Sequence, residues 1–185
     1  MQTLVFTYGS MMNETEMRRR CPGARFAFIG ALCDRELCFP RNSVARGGGV
    51  AGLRHRIGGL AWGVVWSIAD IEISSLDRSE GYDPIRDPHQ NSYNRYATTV
   101  WREGDALQSV LVDFYDAVSA PNPKQPSLEY VRLIVEGAKL HLLPSTYVAS
   151  LETLLWTLSL TSTVAGDGKT PFFGCYPRGG TRPPV

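Results

Sequence analysis

The chain has 185 residues, of which 43% are hydrophobic and 20% are charged, and its formal net charge is +1. A chain of this length buries roughly 70% of its unfolded surface, so it predicts one domain with an ordinary hydrophobic core. The near-neutral charge argues against a nucleic-acid-binding protein, which would carry a basic excess or a basic stripe. No apolar run approaches the roughly 20 residues that cross a bilayer, so we expect no membrane partner.

The use of cysteine and histidine favours a reducing compartment. The four cysteines form no C-x-x-C pair, and the three histidines are scattered along the chain, a pattern that disfavours a zinc site. The first ten residues contain no Lys or Arg, so we expect no secretory signal. The sequence therefore predicts a cytoplasmic protein with free thiols, no metal and no other cofactor.

The N-terminal part of the chain predicts a strand, a short helix and a second strand. Residues 3–8 place apolar side chains on one face in the alternation of a strand. Asn13 opens a pattern like a capping box, which predicts a helix through Arg20. Residues 24–39 then predict a strand with a bend near Gly30.

The stretch 41–59 is rich in glycine and arginine and predicts a long loop. Two interpretations of this loop stay open, a flexible solvated excursion and a lid over an anionic substrate. Residues 60–68 are apolar on both faces, which predicts a strand in the middle of a covered sheet.

The second half of the chain alternates a helix, a β-hairpin and two more helices. The predicted ranges are a helix over 71–79, strands over 93–102 and 107–116, a helix over 128–141 and a helix from Pro144 to about Leu160. Asp70 and Ser127 are the expected N-caps of the first two helices, and Gly81 is the expected stop of the first.

This order of elements predicts an α+β fold, with a mostly antiparallel, barrel-like β-sheet and flanking helices. We expect a single domain over residues 1–160. The C-terminal tail, residues 161–185, is rich in Gly, Pro and Thr, and we expect it to be irregular or docked.

The first candidate for a functional site is the turn formed by Tyr8, Gly9 and Ser10, between the first strand and the first helix. Backbone amides at such a turn can bind a carboxylate or a developing oxyanion. An ordinary strand-to-helix turn is the alternative. A nucleophilic role for Ser10 is disfavoured, because the chain has no G-x-S-x-G pattern and no histidine close in sequence.

The second candidate is Glu80, which lies at the end of a predicted helix. The helix dipole disfavours a negative charge there, and dipole plus burial would raise the pKa of this carboxyl toward neutrality. A group that both takes and gives a proton needs such a pKa. A solvated surface glutamate is the alternative.

Four patterns, met in the same order, resemble those of the γ-glutamylcyclotransferase family, and the likeness covers roughly residues 4–155. They are the loop of Tyr8, Gly9, Ser10 and Met11, the Trp-Gly-Val strand within Gly59 to Val65, the Leu-Asp-x-x-Glu-Gly run from Leu76 to Gly81, and the stretch from Pro126 to Tyr147.

This resemblance implies a small β-barrel with a cavity at its mouth and a reaction that needs no cofactor. The α-amine of a γ-glutamyl compound attacks the γ-carbonyl, which gives 5-oxoproline and a free amine or amino acid. By the resemblance, the loop from Tyr8 to Met11 would hold the substrate carboxylate and Glu80 would carry the proton. Tyr96 and Tyr115 resemble tyrosines that line the family's pocket.

The expected partner is a small γ-glutamyl substrate, whose identity the sequence leaves open. Met11 stands where the family has asparagine or leucine, so a contact used for substrate choice is expected to differ. The candidates are γ-glutamyl amino acids, γ-glutamyl-lysine-type amines, glutathione and an acylated biosynthetic intermediate. A catalytically idle carboxylate-binding module on the same fold is the alternative function, and both a monomer and a homodimer stay open.

Overall fold

The structure is a computed structural model that describes residues 1–103 and 108–164, without the side chains of 162–164. In the described part, five strands and four α-helices follow one another along the chain. They are β1 (Gln2–Thr7), α1 (Glu14–Arg20), β2 (Arg25–Ser43), β3 (Gly48–Ala69), α2 (Asp70–Glu80), β4 (Tyr93–Arg102), β5 (Ser109–Ala117), α3 (Leu128–Leu140) and α4 (Ser145–Val164).

The strands form a closed barrel in the order β1-β3-β2-β4-β5. All neighbouring strands are antiparallel except β1 and β5, whose parallel pairing closes the barrel. β3 is long enough to pair with β1 and β2 at once, and Val64, Val65 and Trp66 on it are fully buried. The predicted α+β class, with a mostly antiparallel, barrel-like sheet, is confirmed.

The prediction of a long loop over 41–59 is wrong, because this stretch forms the paired ends of β2 and β3. Its glycines are needed for close packing. A Cβ atom on Gly48 would lie 2.3 Å from the carbonyl oxygen of Gln125, and one on Gly49 would lie 2.3 Å from that of Lys124. The glycine-rich composition predicts a loop, but in the structure these glycines allow the strand to pack closely against a segment that is distant in sequence.

In place of the bend predicted near Gly30, β2 gains a second strand partner at this residue. β2 runs through this residue without a break, and Gly30 pairs with both Gly63 of β3 and Arg102 of β4. A Cβ atom here would lie 2.8 Å from the carbonyl oxygen of Trp101, so the glycine lets β4 close onto β2.

The helix ends follow the predicted caps in most cases. The Asn13 side chain accepts hydrogen bonds from the first turn of α1, and that of Ser127 accepts one from the first turn of α3. Gly81 ends α2 with φ 65° and ψ 31°, the left-handed conformation that glycine adopts most easily. Asp70 is the exception: it is the first residue of α2, the N-cap is Ala69, and the Asp70 carboxylate accepts a hydrogen bond from Thr3 Oγ1 at 2.9 Å.

The last helix is longer than the sequence predicts. α4 begins at Ser145, directly after Pro144, and is helical through Val164, the last described residue, beyond the predicted end near Leu160. The rest of the expected tail and most of the predicted hairpin turn between β4 and β5 lie outside the described residues. No helix in the described ranges is both long and apolar enough to cross a membrane.

α3 anchors the loop that follows β1. An apolar stripe of α3 is buried, and this helix packs against α4 and against a short 3-10 turn, Ser10–Met12. A Cβ atom on Gly137 would lie 2.6 Å from the backbone of Met12 and Asn13. The close approach at this glycine therefore fixes where the loop ends.

Candidate active site

A cavity of about 350 Å³ opens where β1 ends, α2 ends and the turn between β2 and β3 folds over. Its wall combines two classes of group, buried tyrosines and arginines, around one glutamate. Six of the seven residues predicted for the site lie together in this wall, namely Tyr8, Gly9, Ser10, Met11, Glu80 and Tyr115.

The loop after β1 brings backbone amides to the cavity. Gly9 precedes the 3-10 turn that starts at Ser10, so the amides of Ser10 and Met11 have no acceptor within that turn. Met12 N and Asn13 N donate to the carbonyls of Gly9 and Ser10 at 3.0 Å, which closes the turn. The arrangement suits a carboxylate or an oxyanion, which unpaired amides can bind.

Gly9 is held tightly between two other parts of the wall. A Cβ atom on this residue would lie 2.9 Å from Ala51 Cβ and 3.4 Å from Tyr130 Oη. Ala51 N in turn donates to Tyr130 Oη at 3.0 Å, and Ala51 O accepts from Tyr93 Oη at 2.8 Å. The loop is therefore pressed against a rigid wall, and a side chain at position 9 would displace it.

Glu80 is the last residue of α2, and its side chain is only 10% exposed. Burial raises the pKa of this carboxyl to about 7, although the charges of Arg20 and Arg46 act in the opposite direction. Arg20 Nε lies 3.9 Å from Glu80 Oε1, which is too far for a hydrogen bond. At neutral pH the carboxyl can therefore both accept and donate a proton.

Tyr8 and Tyr115 connect the cavity wall to a buried polar network. Tyr8 Oη donates to Tyr115 O at 2.6 Å, and Tyr115 Oη donates to Asp77 Oδ1 at 2.7 Å. Asp77 also faces Arg95 Nε at 3.3 Å. Burial raises the pKa of both tyrosines well above the usual range, so they stay neutral.

Tyr96 is not brought to the cavity. Its side chain is 49% exposed and its ring lies 6.0 Å from that of Phe114, outside the cavity wall. Tyr93 lines the cavity instead. Residues an odd number apart on a strand face opposite sides, so β4 cannot present both tyrosines to the cavity.

Sequence reasoning missed four arginines and two tyrosines of the wall. They are Arg20, Arg41, Arg46, Arg78, Tyr93 and Tyr130. The basic character of the stretch around Arg41 and Arg46 was the available signal, whereas Arg20 and Tyr130 reach the cavity only through tertiary packing. Within the described ranges, no three His, Cys, Asp or Glu side chains come together as a metal site would need.

Comparison with known proteins gives matches over most of the chain. Residues 61–151 match the AIG2-like family. A gamma-glutamylcyclotransferase of Mus musculus is 32% identical over 157 residues, which covers 82% of this chain and 78% of the mouse protein. That of Bos taurus is 30% identical over 160 residues, with the same coverage of both proteins. A solved structure described as a gamma-glutamyl cyclotransferase has a TM-score of 0.74 at 26% identity, and the match covers 82% of this chain and 87% of that one.

Proposed function

The chain belongs to the γ-glutamylcyclotransferase family, and from that membership we propose that it converts a γ-glutamyl amine or γ-glutamyl amino acid into 5-oxoproline. Glu80 is the general acid/base of this reaction. The loop from Tyr8 to Met11 holds the substrate, and Tyr115 lines the same pocket. A cytoplasmic location, expected from the use of cysteine, is part of the same proposal.

The observation that carries the proposal is a nearly buried carboxyl with a pKa of about 7 in the wall of the cavity that the loop amides also line. A binding pocket for an anionic group gains nothing from a second carboxylate. A reaction that begins with an ammonium ion, by contrast, needs a base whose pKa lies near neutral pH, so that the carboxylate can take the ammonium proton and later give a proton to the departing nitrogen.

In the proposed reaction, Glu80 carries the proton that links the attack of the amine to the departure of the leaving nitrogen. Its carboxylate takes a proton from the substrate α-ammonium, and the neutral amine attacks the γ-carbonyl carbon to form the new C–N bond. As the bond to the departing nitrogen breaks, Glu80 returns the proton to that nitrogen. The ring nitrogen loses one further proton, which the departing amine takes up from solvent when it becomes an ammonium ion.

The loop after β1 contributes by holding the substrate folded. The ring closure is intramolecular, so fixing the amine close to the γ-carbonyl supplies much of the rate. Amides of Ser10 and Met11 anchor the α-carboxylate, and Gly9 allows the loop to lie against Ala51. The buried tyrosines exclude water from the reacting atoms.

The proposal is tested by measuring 5-oxoproline release from a panel of γ-glutamyl compounds. We expect Glu80→Gln to fold and to lose roughly a hundredfold or more in kcat/KM, because general acid–base catalysis contributes at least that much. Glu152→Gln is the matched control, since Glu152 lies on α4, is 47% exposed and pairs with Lys139 away from the cavity.

Two results would contradict the proposal. Full activity of Glu80→Gln would remove Glu80 from the mechanism. No turnover of any compound, together with binding of the same compounds by calorimetry, would favour the idle carboxylate-binding module instead.

A further inference from the structure

Glu16 is a nearly buried carboxylate one layer behind the cavity wall. It lies on α1, its side chain is 14% exposed, and it faces three arginines. Arg19 and Arg20 approach its Oε2 atom to 3.2 Å each, and Arg46 donates a short hydrogen bond to the same atom. Burial alone would raise the pKa of Glu16, but the hydrogen bonds from Arg46 and Arg20 outweigh it and lower that pKa.

Arg20 stands between Glu16 and Glu80. Its Nη1 atom donates to Glu16 O at 2.7 Å and to Glu16 Oε2 at 3.2 Å, whereas its Nε atom stays 3.9 Å from Glu80 Oε1. The guanidinium is therefore bound to one carboxylate and only near the other. Without the first carboxylate, a small rotation would bring it into hydrogen-bond contact with the second.

The Arg46 guanidinium is likewise paired with Glu16 rather than with Glu80. Its carbonyl oxygen accepts a hydrogen bond from Ser127 Oγ at 2.7 Å, and its guanidinium lies 5.7 Å from the centre of the Tyr130 ring. The contact with Glu16 completes this set. Of these three described partners, Glu16 is the one with a negative charge, because Ser127 and Tyr130 are uncharged.

The other described ionisable groups around Glu80 do not neutralise the positive charges of Arg20 and Arg46. Four tyrosines face it from the loop after β1 and from β4, β5 and α3, and burial raises the pKa of each so that it stays neutral; they are Tyr8, Tyr93, Tyr115 and Tyr130. Burial likewise raises the pKa of Cys21 to about 11. Arg41 has neutral partners in Ser92 Oγ at 2.9 Å and Val118 O at 3.2 Å, and Arg78 is exposed on α2 itself.

We infer that Glu16 is a positioning residue, which holds Arg20 and Arg46 away from Glu80 and so leaves Glu80 free to exchange a proton near neutral pH. The expected effect on 5-oxoproline release rests on the proposed function, whereas the expected effect on the titration of Glu80 does not. Glu16 acts through the two arginines and touches neither substrate nor reacting atoms.

The test is the titration of Glu80 in the Glu16→Gln variant. An opposite charge brought close to a carboxyl lowers its pKa by about one unit or more, so we expect the titration midpoint of Glu80 to fall by about one pH unit. Carbon NMR of the side-chain carboxyls follows it directly, with the Glu80→Gln spectrum as the assignment. The acid limb of kcat/KM for 5-oxoproline release should move by the same amount, and its plateau should fall because the base is weaker.

Two further variants separate electrostatics from folding. Glu14→Gln is the matched control, because Glu14 lies on the same helix but pairs with Arg18 at 2.6 Å, outside the cavity wall; the midpoint should stay where it is. The double variant Glu16→Gln/Arg20→Gln removes a carboxylate and a cation together, so its midpoint should return toward the wild-type value. If Glu16→Gln alone does not fold, the Glu80 midpoint is compared between Arg20→Gln and the double variant. The inference predicts the lower midpoint for the double variant.

An unchanged Glu80 midpoint in Glu16→Gln would overturn the inference, even if activity fell, since a purely structural role would lower activity without moving the titration. A shifted midpoint in a protein that releases no 5-oxoproline would support the inference and contradict the proposed function. The two failures are thus distinguishable.

Discussion

The Glu80 side chain makes the folded protein less stable whenever it is ionised. In the unfolded chain a glutamic acid loses its proton near pH 4.3, whereas in the folded chain this carboxyl keeps it to about pH 7 because it is buried. Between these two values the folded state binds more protons than the unfolded state. The free energy of unfolding therefore falls as the pH rises through this window.

We predict that Glu80→Gln becomes more stable than the wild type as the pH rises through this window, with the full difference above it. A pKa raised to about 7 corresponds to about 4 kcal/mol at pH 8. Urea denaturation at pH 4 and at pH 8 measures the difference, and pH 4 is the internal control because both side chains are then neutral. An equal difference at the two pH values would show that Glu80 is not the group whose proton is retained.

At the level of elements, the start of α3 joins the helix to the turn between β2 and β3. Ser127 Oγ accepts a hydrogen bond from Tyr130 N at 3.2 Å and donates one to Arg46 O at 2.7 Å. One hydroxyl therefore caps the helix and fixes a cavity-lining arginine. Both Arg46 and Tyr130 belong to the cavity wall, so the cap contributes to the shape of the site as well as to stability.

Ser127→Ala should lower the free energy of unfolding by about 1 kcal/mol, as the loss of an N-cap does, and should raise KM for the γ-glutamyl substrate. Ser127→Thr keeps both hydrogen bonds and is the rescue control. Chemical denaturation and steady-state kinetics measure the two effects. A Ser127→Ala variant that loses stability with unchanged KM would limit the serine to its capping role.

Local chemistry made some elements of the site predictable from sequence. Glu80 is recognisable as a carboxyl at the C-terminal end of a helix because Gly81, which follows it, is a typical helix stop. The residue before such a glycine lies at the negative end of the helix dipole. Asn13 and Ser127 are recognisable as caps for a similar reason, since their side chains bond within the next three residues.

The parts that sequence could not predict depend on distant contacts. The glycines near Arg46 resemble a loop until residues 124–125 are packed against them. The choice of Tyr93 over Tyr96 as the cavity tyrosine depends on the register of β4, and a shift by one residue reverses which face points inward. Glu16 looks like an ordinary helix residue until Arg46 arrives from another part of the chain.

On the scale of the whole molecule, β3 of the β2–β3 hairpin has an exposed middle segment between two buried ones. Residues 61–66 of β3 pair with β2, β1 also pairs along 64–69, and most of their side chains are buried. Residues 54–58 are exposed. Residues 48–51 are buried again, and Gly49 N donates to Gln125 O at 2.9 Å. One strand thus passes from the core to an exposed segment and back to a packed one at the cavity.

We predict that hydrogen exchange, followed by mass spectrometry, divides β3 into these three parts. Opening a segment with few buried contacts costs less free energy than opening the core, so amides in 54–58 should exchange roughly a hundredfold or more faster than those in 61–68. Amides in 48–51 should exchange slowly as well. This part of β3 must first separate from the segment 124–125, which is packed against it. Equal, fast exchange over 48–58 would instead show that the glycine-rich stretch opens as one mobile unit at the cavity mouth. In that case the close packing of Gly48 and Gly49 would not restrain Arg46 beside Glu80.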